Sequence, residues 1–261
     1  MLRAIWQYRH FILTAIKGEF RARFARSRLG LLWSILHPMA QAIIFALILS
    51  EVLGARLSGV DLPGAYSIYL LSGIAAWSLF SEILTRSMSV FLEYKEAMKK
   101  IAFPRICLPV IVWGVALINH LLLLIAIAVV IAFFGVYPNV YWLAIPLGIL
   151  LISMFAFGLG LILGILNVFS RDVGQVLSVV LQIWFWLTPI VYTRDIIPEK
   201  LDRLVDFNPM SPQVELYQGA VLFDRWPDLS SLALPALLAI ALCLVSLFIF
   251  RRAHADLVDA L

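Results

Sequence analysis

Six long apolar runs, joined by connections that carry their cations on alternate sides, restrict this chain to one kind of fold. Residues 31–53, 66–84, 106–134, 142–168, 173–192 and 232–250 form the runs. Each has about the 20 residues a helix needs, at 1.5 Å rise per residue, to cross about 30 Å of hydrocarbon. The prediction is an all-α membrane protein with six transmembrane helices. With 63% hydrophobic and 14% charged residues, the composition is far from that of a soluble domain. A single membrane domain is expected over 1–261: an interface helix at 1–29, spans one to five at 30–192, an outer connection at 193–231, and span six with its tail at 232–261.

Cation placement sets the orientation. Arg3, Arg9, Lys17, Arg21, Arg23, Arg26 and Arg28 precede the first run. Arg86, Lys95, Lys99, Lys100 and Arg105 surround the second connection, Arg171 lies on the fourth, and Arg251 and Arg252 follow the sixth. The alternate connections hold Arg56, Arg194, Lys200, Arg203 and Arg225. The positive-inside bias then places both termini in the cytoplasm. A pI near 9.2 reflects this topology and anionic lipid, not a nucleic-acid partner. The basic start lacks the compact apolar core and small-residue site of a cleaved signal. Cys107 and Cys243 sit in separate apolar runs, so a disulfide or metal site has little support.

Residues 2–28 read as an amphipathic helix along the inner membrane surface. Arg3, His10, Lys17, Arg21 and Arg28 share one face; Ile5, Tyr8, Ile12 and Ile16 share another, with Phe11 and Phe20 at its margins. In the first run, Ser34, His37 and Gln41 follow an i, i+3, i+7 spacing beside Pro38. Such a stripe faces protein or water rather than lipid, and serves either helix–helix hydrogen bonding or the lining of a path. Residues 90–100 predict a short cytoplasmic helix ended by Pro104, either a partner-docking element or a solvated loop.

The fifth run carries a second stripe: Gln175, Ser178, Gln182, Phe185, Trp186 and Pro189, at steps of three and four. Trp184-Phe185-Trp186 is a dense aromatic group there. Its rings either pack the bundle or offer stacking area to sugar rings. The outer connection is broken by Pro198, Pro209 and Pro212, while 214–223 is apolar enough for a short helix dipping into the bilayer. That segment is expected either at the outer mouth of a conduit or as an extracellular loop with no such role. Glu82 is the charge deepest in a span, with Arg86 at i+4 as its expected partner. No phosphate-binding Gly-x4-Gly-Lys loop, His-Glu-x-x-His, Gly-x-Ser-x-Gly or paired-cysteine motif occurs. Energy must come from elsewhere, or the protein is passive.

The stretch Arg26-Ser-Arg-Leu-Gly-Leu-Leu-Trp-Ser-Ile-Leu-His-Pro38 resembles the opening of Wzm-like permeases from bacterial polysaccharide ABC exporters, which move O-antigen, teichoic acid or capsule. Phe103-Pro104-Arg105, the segment Asn167 to Asp172, Leu187-Thr-Pro-Ile-Val-Tyr192, Ile197-Pro198 and Asn208-Pro209 followed by Tyr217 are similar to the family's later motifs, in order across almost the whole chain. The resemblance implies six membrane helices, a homodimer, and a separate ATPase subunit in two copies that binds the ATP and Mg. No cofactor is expected in this chain. It further implies that Glu93, Lys95, Glu96, Lys99 and Lys100 dock in the ATPase, with Arg171 and Asp172 at a second contact. The segment after Tyr192 would be re-entrant and cap the periplasmic exit.

On that basis Arg23, Arg26 and Arg28 are the expected contacts for the phosphates of a lipid-linked glycan at its entry. Ser34, His37, Gln41, Gln175, Ser178, Gln182, Trp184, Phe185, Trp186 and Tyr192 are the expected path. The location would be the bacterial inner membrane. A permease for a small lipid or drug is the nearer rival; an enzyme acting on lipid-linked substrates is the more distant one.

Overall fold

The computed structural model describes residues 2–25, the single positions 33, 36, 40, 44 and 62, and residues 64–100, 103–132, 135–194 and 197–253. These form α1 (Leu2–Gln7), α2 (Arg9–Ala25), α3 (Ala65–Glu93), α4 (Lys95–Lys100) and α5 (Cys107–Ala132). A 3-10 turn at Val140–Ala144 runs into α6 (Ile145–Phe169), followed by α7 (Asp172–Leu187), α8 (Glu199–Asp206), α9 (Ser211–Val221) and α10 (Leu229–Ala253). Among the described residues, four helices are long and apolar enough to cross a membrane: α3, α5, the 3-10 turn with α6, and α10. Of the expected first span, Trp33, Leu36, Ala40 and Ile44 are helical and exposed, while Ser34, His37 and Gln41 lie outside the described residues.

Two expected boundaries move. The fifth run does not continue as helix to Tyr192: α7 stops at Leu187. Pro189 forces Thr188 out of the helical region, to φ −100° and ψ 133°. At 16 residues, α7 is about 24 Å long, short of a full crossing. The N-terminal helix is divided at Tyr8. Of its predicted apolar stripe, Ile12 and Ile16 are buried against protein, on Cys107, Ile111 and Val115 of α5, with Ile16 reaching the gap left by Gly114; Ile5 is half-buried and Tyr8 is exposed.

α3 is the central post. Apolar helices gain little from one another's hydrophobicity in lipid, so close backbone approach must hold them together. α6 supplies it through small residues on two faces. A Cβ at Gly164 would stand 2.5 Å from the Ser87 carbonyl of α3, and one at Gly160 2.8 Å from the Ser87 side chain. On the other face, a Cβ at Gly158 would meet the α10 backbone at Cys243, 2.8 Å away. Cys107 and Cys243 are both free thiols.

The termini of the described chain come together at one end of the bundle. Phe250 of α10 stacks on Phe91 of α3 at 6.1 Å, and Ile5 of α1 packs on the same cluster beside Phe103. Phe103 in turn meets Phe11 of α2 at 5.3 Å. The cations of α4 and of the last turn of α10, Arg251 and Arg252, lie at this end. The opposite end holds the 3-10 turn, the C-terminal end of α7, α8 and α9. Nine of the eleven residues of α9 are buried, so the predicted short helix of the outer connection exists and is covered by protein.

Candidate functional site

α7 buries only Leu177. Successive residues of a helix turn by 100°, and this assigns the rest of its surface. Gln175, Ser178, Gln182 and Trp186 lie on one exposed face, continued sideways by exposed Val176, Val179, Val180, Ile183 and Leu187. Gln175, Ser178, Gln182 and Trp186 of the predicted stripe are therefore open at the surface of the chain. Trp184 is not on that face. Two residues from Trp186, it points some 200° away, and packs edge-on against Phe80 at 5.1 Å and Phe155 at 6.2 Å. Phe185 also turns inward, edge-on to Trp77 at 5.6 Å, and touches Trp186 at 5.7 Å. The aromatic group thus divides: Trp186 faces out, and Trp184 and Phe185 fill the bundle.

The backbone that leaves α7 is irregular, and three partners satisfy its carbonyls. Tyr66 donates its hydroxyl to Val191 O at 2.6 Å. Tyr69 shares its proton between Pro189 O at 3.1 Å and Tyr192 O at 2.9 Å. Gln218 of α9 donates to Pro189 O at 3.2 Å. Tyr192 closes the turn by donating to Trp186 O at 2.7 Å. Buried non-helical backbone must find partners inside the protein, and both tyrosines come from the first turns of α3.

Asn208 is the junction of the outer segment and α7. Its side-chain oxygen accepts from Trp184 Nε1 at 2.8 Å and from Met210 N at 3.0 Å. Its amide donates to Leu187 O at 3.2 Å and to Thr188 Oγ1 at 2.9 Å. Three separated motif fragments, around Trp184, Leu187-Thr188 and Asn208-Pro209, thereby become one structure. Tyr217 lies behind them against Gly148, with its hydroxyl 2.9 Å from His120 Nε2 of α5.

At the cation-rich end, α3 passes through Tyr94 into α4, with Met98 N bonded to Tyr94 O at 2.9 Å. Glu93, Glu96, Lys99 and Lys100 are exposed and Lys95 is half-buried. The α6–α7 turn approaches the same end: Asn167 donates to Met88 O of α3 at 3.2 Å, leaving Arg171 and Asp172 exposed. The two expected docking elements thus hang from neighbouring turns of one helix. Arg23 lies on the last turns of α2, and Arg26 and Arg28 are outside the described residues.

Sequence reasoning missed a polar knot between α2, α3 and α5. Arg86 does pair with Glu82, at 3.6 Å, but its closer partner is Glu19 of α2. Asn119 of α5 donates to Glu82 Oε1 at 2.7 Å. One guanidinium thus serves two carboxylates, and the interface helix is tied to the bundle by charge as well as by Ile12 and Ile16. The signal available was Asn119-His120, adjacent polar residues in the middle of a very apolar run.

The sequence of residues 10–222 matches the model of the family described as ABC-2 type transporter. A Klebsiella pneumoniae protein named O-antigen export system permease protein RfbA is 32% identical over 212 residues, 78% of this chain and 78% of its own length. A Myxococcus xanthus protein of the same name is 25% identical over 263 residues, covering 100% of this chain and 99% of its own. The Escherichia coli polysialic acid transport protein KpsM is 26% identical over 238 residues, 89% of each. The extent of the family match, together with apolar helices that bury a polar junction and leave a polar stripe open, makes this chain a transport permease belonging to the ABC-2 type transporter family.

Proposed function

We propose that the chain is the channel-forming permease subunit of an ATP-driven exporter, moving a lipid-linked polysaccharide of the O-antigen kind from the cytoplasm to the outer side of the bacterial inner membrane. The observation that carries this reading is the exposed polar face of α7. Gln175, Ser178, Gln182 and Trp186 cannot face hydrocarbon without cost, so a second copy and a water-filled path must cover them. Two copies related by a two-fold axis would enclose a channel, with the first of six spans completing its wall through Ser34, His37 and Gln41. A hydrophilic glycan would pass inside while its lipid carrier stays in the bilayer. Arg23, Arg26 and Arg28 would pair with the carrier's phosphates. The names carried by the relatives support a glycan over a small lipid or drug.

The cation distribution supports a cytoplasmic position for both termini. The partner ATPase, with its ATP and Mg, would bind Glu93, Lys95, Glu96, Lys99 and Lys100 together with Arg171 and Asp172. The form of α3 then supplies the coupling. Its 29 residues make a rod of about 43 Å, with α4 at one end and Tyr66 and Tyr69 gripping the turn after α7 at the other. A shift of α4 on nucleotide binding would move the re-entrant outer segment through that rod. The test is affinity capture of the chain from native membranes in mild detergent. A stoichiometric ATPase, lost on charge reversal at Lys95, Lys99 and Lys100, is expected; a folded chain with no ATPase would overturn the exporter reading.

A further inference from the structure

The outer end carries a built cleft apart from the exposed face of α7. Two adjoining cavities of about 230 and 280 Å³ share Arg194, Pro212, Glu215 and Ser231 in their walls. Their floor is the first turn of α9, and one side is the start of α10. Trp226 stands over the first cavity, half exposed and edge-on to Tyr141 at 5.6 Å. The loop carrying Trp226 is folded back and fixed. Asp224 adopts a left-handed φ of 48° while accepting from the Asn139 amide, and Arg225 N bonds to Gly219 O at 3.1 Å.

The polar groups around the cleft are planar and held in place. Arg225 donates to Glu215 at 2.7 Å and lies over the Phe223 ring at 5.3 Å. Arg194 pairs with Asp206. Asp228 accepts from Ser230 Oγ at 2.6 Å and from Ser230 N at 3.0 Å; the hydroxyl, then the amide, keep its carboxyl below the usual range and therefore ionised. Ser211 lines the second cavity, 4% exposed, and its hydroxyl has no hydrogen-bond partner. A buried hydroxyl left unpaired beside a cavity is a vacant donor and acceptor for whatever enters. An exposed indole beside paired carboxylate and guanidinium groups offers a stacking face and in-plane hydrogen bonds, the two features that suit a sugar ring.

We infer that this cleft is a carbohydrate-binding subsite that holds one or two sugar units of the emerging polymer on the exit side, with Trp226 stacked on a ring and Ser211, Ser231, Glu215 and Arg225 bonded to its hydroxyls. The inference rests on the export reading for the identity of the sugar. Held there, the leading segment of the polymer could not slide back between strokes.

The test uses the full chain, with its captured partner, in lipid nanodiscs. The probe is a reducing-end-labelled oligosaccharide of four to eight units cut from the surface polysaccharide of the producing cell, followed by fluorescence anisotropy. Saturable binding is expected, weakened about tenfold by Trp226→Ala and less than about threefold by Trp226→Phe, which keeps a stacking ring. Ser231→Phe, on the exposed first turn of α10, should fill the cleft and abolish binding; it gives up one bond to the loop, Ser231 Oγ to Asp228 O at 2.8 Å, and leaves the Asp224 and Arg225 bonds that hold Trp226. Absent binding, or binding indifferent to Trp226→Ala and Ser231→Phe in monodisperse protein, overturns the subsite. A captured ATPase without oligosaccharide binding removes the subsite alone. Binding without an ATPase removes the exporter and leaves a glycan-binding cleft.

Discussion

Replacing Asn208 by alanine removes four hydrogen bonds at the seam between α7 and the outer segment. Trp184 Nε1, Met210 N and Leu187 O then lose a partner in a site where Asn208 is 7% exposed. Thr188 keeps its bond to Trp184 O at 2.8 Å, so its hydroxyl is only partly orphaned. Hydrogen bonds between membrane helices average about 0.6 kcal/mol, and a buried group left unpaired costs about 1–3 kcal/mol. Three orphaned groups therefore place the loss at about 2–5 kcal/mol. At roughly 2–4 °C per kcal/mol for a chain of this size, the apparent Tm in detergent should fall by about 5–15 °C. Trp184→Phe removes one of the four bonds while keeping the ring, and should cost about 1 kcal/mol. The double variant should be less destabilised than the sum, because both changes break the same bond. A Tm within 2 °C of the parent for Asn208→Ala, or strictly additive losses, would refute the junction.

Gly164→Val should separate α6 from α3, since its Cβ would press on the Ser87 carbonyl; a loss of several kcal/mol, on the order of 3, is expected. Gly18→Ala in α2, where a Cβ meets nothing within 4 Å, should instead add up to about 1 kcal/mol through helix propensity and raise the Tm by about 2–4 °C. Arg86→Ala leaves Glu19 and Glu82 facing each other without their cation, and should cost about 3 kcal/mol. Arg86→Lys should recover part of it, and equal Tm values for both variants would contradict a charge-based tie. Gln182→Trp and Trp186→Arg, on the exposed face of α7, should abolish surface glycan while leaving the Tm within about 2 °C of the parent. Normal surface glycan in these variants would take the stripe out of the path.

Much of the bundle was legible because apolar length and period are direct consequences of helix geometry. The stripe Gln175, Ser178, Gln182 and Trp186 follows from steps of three and four, and the burial of Ile12 and Ile16 follows from the same count. Trp184 joins the expected path only through its place in the aromatic group; positions two apart on a helix face away from each other, and its ring turns into the bundle. The end of α7 was misread because apolarity alone extended it to Tyr192; Pro189 and its effect on Thr188 were the better guide. Asn208 as a junction was beyond reach. Its partners on and after α7 are 20 to 24 residues away in sequence and meet it only when the outer segment folds back. Glu19 belongs to the same class. On a surface helix it reads as one more exposed charge, and only the docking of α2 on α5 brings it to Arg86.

The most direct measurement is ATP-driven glycan translocation in proteoliposomes containing this chain, its captured ATPase and a lipid-linked oligosaccharide. Transfer is scored by the accessibility of the glycan to an external glycosidase. ATP-dependent gain of accessibility, abolished by Gln182→Trp and by charge reversal at Lys95, Lys99 and Lys100, is the predicted result. Accessibility that is the same with and without ATP, in vesicles where the ATPase is bound and active, would contradict the account.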